Sequence, residues 1–188
     1  MNEIIIDSAA TFHEQAFNLK SDYPIFRGVS DTSYELITRF GRSIIQTMKF
    51  REMDNSFKYI VSTDIEKPAL KQFINLSIPY LGFEPVNEWE WLAIAQHHGV
   101  STRMMDWTTN PLVAAYFAIE YNRSALVDSA IYVIKDHHEI VKASLDQSPF
   151  EIKIPSIFHP RHSTPRITAQ SGLFTVHPEP TKPFDIEG

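Results

Sequence analysis

Two arginines, Arg27 and Arg103, are the side chains of this 188-residue sequence best suited to hold an anion. Arginine offers five donors in a planar fork that matches phosphate or carboxylate, and it stays charged at any physiological pH. Arg27 lies inside the β-type run Ile25-Phe26-Arg27-Gly28-Val29, where Gly28 lets a ligand approach the backbone. The plain alternative is an edge-strand arginine facing water, with the glycine serving a turn. Arg103 sits in a short polar run between two apolar segments, with His97 and His98 before it and Asp106 after it. Charges in such a place must be paired or used, since burying one alone is too costly. A structural ion pair with Asp106 or Glu90 is the alternative for Arg103.

The histidines divide by position. His97 and His98 end a helix pattern, where a protonated imidazole is favoured, but neighbours on a helix point apart and do not chelate one ion together. One of them packs or caps, and the other is available to a cleft. His137-His138 follows a strand and reads as loop. His159, Arg161, His162 and Arg166 form a local basic patch, read as a solvated loop beside acidic surface. Asp106-Trp107-Thr108 is either a pocket wall or a strand exit. No Gly-rich phosphate loop, nucleophile elbow or paired metal carboxylates are visible, so no metal is expected.

The elements that must position these groups follow from spacing and caps. Ile4-Ile5-Ile6 predicts a short strand, and Ser8 caps a helix from about Ala9 to Leu19. Tyr34, Leu36, Ile37 and Phe40 are candidates for the core. Helical spacing runs from Ser43 to Ile60, and Pro68 opens a helix reaching Leu81. Asn87, with Glu90 three residues on, predicts a capping box before a largely buried helix that Gly99 ends in a left-handed conformation. Val100 to Thr108 is extended, and Asn110-Pro111 starts another helix, apolar nearly all round. Strands are expected at 131–134, 152–154, 166–170 and 173–176, with a Pro-rich tail after them. Helices early and strands late predict an α+β fold rather than a βαβ series.

Composition narrows the class. Hydrophobic residues make up 43% of the chain and charged ones 21%, which suits one globular domain over 1–188 with its core at about 23–178. The net charge of −6 gives no global pull toward nucleic acid or anionic lipid. The lack of cysteine excludes disulfides, thiol nucleophiles and thiolate zinc sites, and fits the cytoplasm. No apolar run approaches the ~20 residues needed to cross a bilayer, and no secretory signal is present, so no membrane association is expected.

Three blocks, in order, carry a resemblance. They are Phe26-Arg27-Gly28, then AQHHGVSTRMMDWTTNPLVAAYFA from Ala95 to Ala118, then Arg166-Ile167-Thr168-Ala169-Gln170-Ser171-Gly172-Leu173-Phe174. Together they resemble the FRG domain family, found in bacteria and mobile elements and named for its aromatic-Arg-Gly triplet. A second, weaker resemblance is to ADP-ribosyltransferases with an Arg–Ser–Glu site. Those enzymes open on an aromatic-Arg-Gly strand, use a Ser-Thr-Ser strand, and place a glutamate on a late strand.

The second resemblance implies a split, antiparallel-rich sheet with flanking helices and NAD as substrate. It also implies a toxin or phage-conflict effector with a protein or nucleic-acid acceptor and an antitoxin or immunity partner. Arg27 would grip a phosphate or ribose of NAD, and Thr102 would support the nicotinamide side. Ser101-Thr102-Arg103 matches the second element only in part, and Gln170 stands where glutamate is expected. Glutamine keeps a hydrogen bond but supplies no negative charge to a cationic sugar, so Asp106 or Glu120 would have to substitute. The implied cleft is lined by Arg27, Gly28, Thr102, Arg103, Asp106 and Gln170, with His97 or His98 beside it. Arg27 and Arg103 would be electrostatic clamps, and Asp106 or a histidine such as His98 would be the acid/base or cation-stabilising group. The alternative is a non-catalytic module that binds a nucleotide or a partner there, and a nuclease is a third reading.

Overall fold

The computed structural model describes residues 3–53, 63–120, 127–161 and 172–185. Within them lie five α-helices, α1 (Ala9–Phe17), α2 (Arg39–Met53), α3 (Thr63–Ser77), α4 (Glu88–His97) and α5 (Pro111–Glu120). Five strands, β1 (Ile25–Val29), β2 (Met104–Thr108), β3 (Ala130–Ile134), β4 (Ser156–Phe158) and β5 (Gly172–Val176), form one antiparallel sheet in the order β3-β1-β2-β5-β4. The fold is α+β, as the sequence predicts.

The sheet is split. Five residue pairs join β1 to β3 and five join β2 to β5, but β1 meets β2 at one pair, Phe26 opposite Thr108. Beyond that pair β1 and β2 no longer form a ladder.

Local signals account for the helix ends. Ser8 Oγ accepts from the Thr11 amide at 3.1 Å and caps α1. Asn87 Oδ1 accepts from the Glu90 amide at 3.0 Å and caps α4. Glu90 reaches back one residue further than a capping box requires, to the Val86 amide at 3.0 Å. Gly99, at φ +89°, ends α4 in the left-handed region. Asn110 Oδ1 accepts from the Leu112 amide at 3.0 Å, with Pro111 at the first helical position.

Each face of the sheet is packed. On one, Trp89, Leu92 and Ala95 of α4 cover Met104, Phe174 and Val176. The same face carries α5, and Gly28 makes that contact possible. A Cβ at Gly28 would stand 2.0 Å from the Ala114 carbonyl oxygen and 2.6 Å from the Ala118 nitrogen. On the other face, Ile25, Met105, Trp107 and Leu173 pack with Leu36 and Phe184. The tail is tied down there, with the Phe184 amide donating to the Leu36 carbonyl at 2.8 Å and Thr38 Oγ1 donating to the Pro180 carbonyl at 3.1 Å.

Several expectations change. Ile4–Ile6 form no strand, and Ile5 is 84% exposed, because no described strand pairs with this segment. Tyr34 is exposed, while Leu36, Ile37 and Phe40 are buried as expected. α3 begins at Thr63 rather than Pro68, so Pro68 lies inside it. The strand expected at 152–154 is at Ser156–Phe158, where the chain can pair with β5. α5 buries only Ala114 and Ala118 and exposes Leu112, Tyr116 and Ile119. The expected strand at 166–170 and the continuation of α2 past Met53 lie outside the described residues. Among the described residues, no helix is long and apolar enough to cross a membrane.

Candidate functional site

Alternation along β1 puts Arg27 on the face of Ile25, opposite α4 and α5. Its guanidinium bridges the split. Nη1 donates to the Asp106 main-chain carbonyl at 2.7 Å and stands 3.9 Å from the Asp106 carboxylate. That carboxylate is 65% exposed, whereas the Arg27 side chain is 19% exposed. Nε of Arg27 is buried and, among the described residues, has no hydrogen-bond partner. A buried donor left unmatched carries a desolvation cost. Burial lowers the Arg27 pKa, Asp106 counters this in part, and Arg42 lowers it further.

Arg42 brings a second guanidinium into the neighbourhood. It lies in the first turn of α2, which contains Arg39 and no acid. Cations at a helix N-terminus oppose the helix dipole, and an anion there is favoured by both. Arg42 Nη1 is anchored on the Ile37 carbonyl at 2.5 Å, so it too is held by main chain rather than by a carboxylate. Burial lowers its pKa, and the like charge of Arg39 lowers it again. Both guanidinium groups are thus held by main-chain carbonyls, and among the described residues the Asp106 carboxylate, 3.9 Å from Arg27, is the acid that pairs with them.

His177 closes this region from the end of β5. The Trp107 indole N–H donates to Thr175 Oγ1 at 2.9 Å, and Thr175 Oγ1 is 2.8 Å from His177 Nε2. The indole can only donate, so the Thr175 hydroxyl keeps its own proton and a second lone pair for its contact with Nε2. His177 is 3% exposed, and burial together with the charge of Arg27 lowers its pKa from 6.5 to about 4. Its unfolded form takes up a proton near pH 6.5, whereas the native form resists until about 4. Stability is therefore expected to fall as pH drops through that window, by roughly 3 kcal/mol in all. Urea unfolding at pH 7 and pH 4.5 would show the loss, and His177→Gln should flatten it. An unchanged pH slope in that variant would rule His177 out as the source.

The other expected site residues are placed elsewhere. Arg103 is completely buried, and its Nε bonds Glu66 Oε2 at 2.8 Å while its amide bonds Glu66 Oε1 at 2.7 Å. Nη1 donates to the Pro149 carbonyl at 3.3 Å, and the guanidinium carbon lies 4.7 Å from the centre of the Phe150 ring. Arg103 is thus engaged by α3 and does not open onto a hollow shared with Arg27. Its carboxylate partner is Glu66 rather than Asp106 or Glu90. Burial raises the Glu66 pKa against the opposing pull of Arg103.

Thr102 is buried, with Oγ1 in contact with Gln96 Oε1 and accepting from the Met104 amide at 3.2 Å. His97 is half-buried and His98 exposed at the end of α4, where His98 lies 6.0 Å from the Phe73 ring of α3. That is the helix-covered side of the sheet, away from the Arg27 face. The space at Gly28 is filled by α5, so this glycine serves packing instead of ligand approach. Glu120 accepts from the Tyr116 hydroxyl at 2.8 Å at the exposed end of α5. Arg161 pairs with Glu90 at 2.9 Å, which takes it out of the basic patch. Gln170, His162 and Arg166 lie outside the described residues.

Of the expected set, Arg27 and Asp106 are brought together, and Arg42 and His177 join them without having been singled out in the sequence. Two arginines in a helix's first turn with no acid were the available signal for Arg42. His177 carries none in its own neighbourhood.

The sequence model of one family, described as FRG domain, matches residues 22–126, more than half of the chain. That span contains Arg27, Arg42 and Asp106. No curated protein and no solved structure matches the chain.

Proposed function

This chain belongs to the FRG domain family, and on that premise we propose that it binds a phosphate-bearing nucleotide at Arg27, with NAD as the ligand and ADP-ribosyl transfer as the chemistry. The observation that carries the reading is the Arg27 guanidinium, tethered by a carbonyl, unmatched at Nε, and accompanied by Arg42. A pair of phosphates supplies the acceptors and the negative charge that this arrangement lacks. The aromatic-Arg-Gly element on β1 and the split sheet support this reading, since both are expected of an ADP-ribosyltransferase-like site.

In the transfer, the bond between nicotinamide nitrogen and ribose C1′ breaks, and nicotinamide leaves with the electron pair. An acceptor nucleophile bonds C1′ and gives up its proton. Water in that role yields ADP-ribose, nicotinamide and a proton. Arg27 and Arg42 would hold the diphosphate. Asp106 would stabilise the cationic sugar, and Gln170 would bond a ribose hydroxyl. The acceptor would be a protein or nucleic acid, and the setting a bacterial or phage effector acting in the cytoplasm, where an antitoxin or immunity partner would limit NAD consumption.

A second reading, a binding module without turnover, is favoured by the exposure of Asp106. A carboxylate in water does little for a transition state.

Binding of NAD and ADP-ribose and release of nicotinamide test both. Arg27→Ala is expected to weaken either ligand by about 1.5–3 kcal/mol, roughly tenfold to a hundredfold. Arg27→Lys should recover only part, because a point charge does not reproduce the fork. Turnover lost with Arg27 supports the transferase, and affinity without turnover supports the module. Equal affinity for NAD and an uncharged nucleoside, or an Arg27→Ala variant that binds normally, would end both readings.

A further inference from the structure

A separate concavity of about 420 Å³ opens where the turn after β3 meets the end of β4, lined by His137, His138, Glu139, Lys142, Ile157 and His159. We propose that it binds a divalent transition-metal ion of the zinc class, held by Nε2 of His137 and the imidazole of His159.

His137 carries the argument. It is 6% exposed, and its Nδ1 lies 2.7 Å from the Tyr23 carbonyl oxygen. A carbonyl only accepts, so Nδ1 carries the proton and Nε2 of the neutral ring keeps its lone pair. A backbone carbonyl on one nitrogen is how proteins fix the tautomer and orientation of a metal-ligating histidine.

The spacing also suits one ion. Metal–nitrogen bonds of about 2.0–2.1 Å at a tetrahedral angle put two imidazole centres about 5 Å apart. The His137 and His159 ring centres are 5.6 Å apart, and those of His137 and His138 are 4.5 Å apart. His138 is drawn toward Asp136, at 3.8 Å, and its ring centre lies 4.1 Å from that of Tyr23.

Fixed charge decides between a cation and an anion. Among the described residues, Lys142 is the one ammonium lining the pocket, against Glu139 and the adjoining Asp136. Counting these fixed charges, the balance is negative. Among the described residues, no three His, Asp or Glu side chains already converge on one point. The site is therefore a two-imidazole one, whose remaining positions go to water or to a donor atom of a ligand. β3 and β4 are opposite edges of the sheet, so the ion would clasp both edges together.

The test uses the untagged full chain and Zn²⁺ alone, titrated against a chromophoric chelator, with Co²⁺ absorption reporting coordination geometry. One equivalent should bind, more weakly as pH falls and the imidazoles protonate. His159→Gln, at an exposed position, should weaken binding about tenfold or more, while His13→Gln on α1 should not change it. His137→Gln should abolish it in whatever fraction folds. No saturable one-to-one binding, or binding unaffected by His159→Gln, would overturn the proposal.

Discussion

Replacing Glu66 with glutamine is expected to cost this protein about 3 kcal/mol or more of folding free energy. The substitution keeps the size of the side chain, removes its charge and turns one of its two acceptor oxygens into an NH2 donor. Glu66 is 2% exposed, and its two oxygens hold the Arg103 amide and Nε. Arg103 is completely buried, and its Nη2 has no partner even in the native arrangement. Without the negative charge, a desolvated guanidinium would keep the Pro149 carbonyl, the Phe150 ring and at most one amide oxygen. An uncompensated charge of this kind is penalised far more than its pairing gains. The double variant Glu66→Leu, Arg103→Met should therefore be more stable than Glu66→Leu alone. Urea midpoints for the set decide it, and a Glu66→Gln protein within about 1 kcal/mol of wild type would show that the pair does not hold α3 to β2.

Gly28→Ala is the second large effect expected, at about 3 kcal/mol or more. The added methyl would meet two main-chain atoms of α5, at 2.0 Å and 2.6 Å. No rotamer change moves a backbone, so α5 would have to lift from β1 along its length. Gly172→Ala is the matched control, because the nearest atom to its Cβ is the Trp107 carbonyl oxygen at 3.9 Å. The pair should differ clearly in thermal and urea stability. If Gly28→Ala instead folds normally and loses only ligand affinity, the packing account of this glycine is wrong and the close-approach account returns.

What could be read from the sequence was mostly local. The Ser8 and Asn87 caps, the left-handed Gly99 and the Asn110-Pro111 start depend on bonds spanning a few residues, and each stands in the structure. The same holds for β1 and β3, whose apolar β-branched runs have few competing states. Ile152-Lys153-Ile154 has a similar pattern but is passed over for Ser156–Phe158, because pairing with β5 decides where a strand forms. Ile4–Ile6 fails for the same reason.

The candidate site was harder to read. Arg27 was visible because a charge in a β run needs a use. The fate of Arg103 was not, because Glu66 lies 37 residues away and only tertiary packing joins them. His177 becomes informative only once β5 sets Thr175 beside Trp107.

The single residue pair between β1 and β2 has a mechanical consequence. The sheet behaves as two plates sharing one stitch, and the guanidinium of Arg27 is a second stitch laid across the gap. The group that would grasp an anion is therefore also a fastening of the scaffold. An occupant that takes the idle Nε leaves the fastening in place and stiffens the joint. One that draws Nη1 from the Asp106 carbonyl removes that link, so cargo and cohesion are settled at the same atoms.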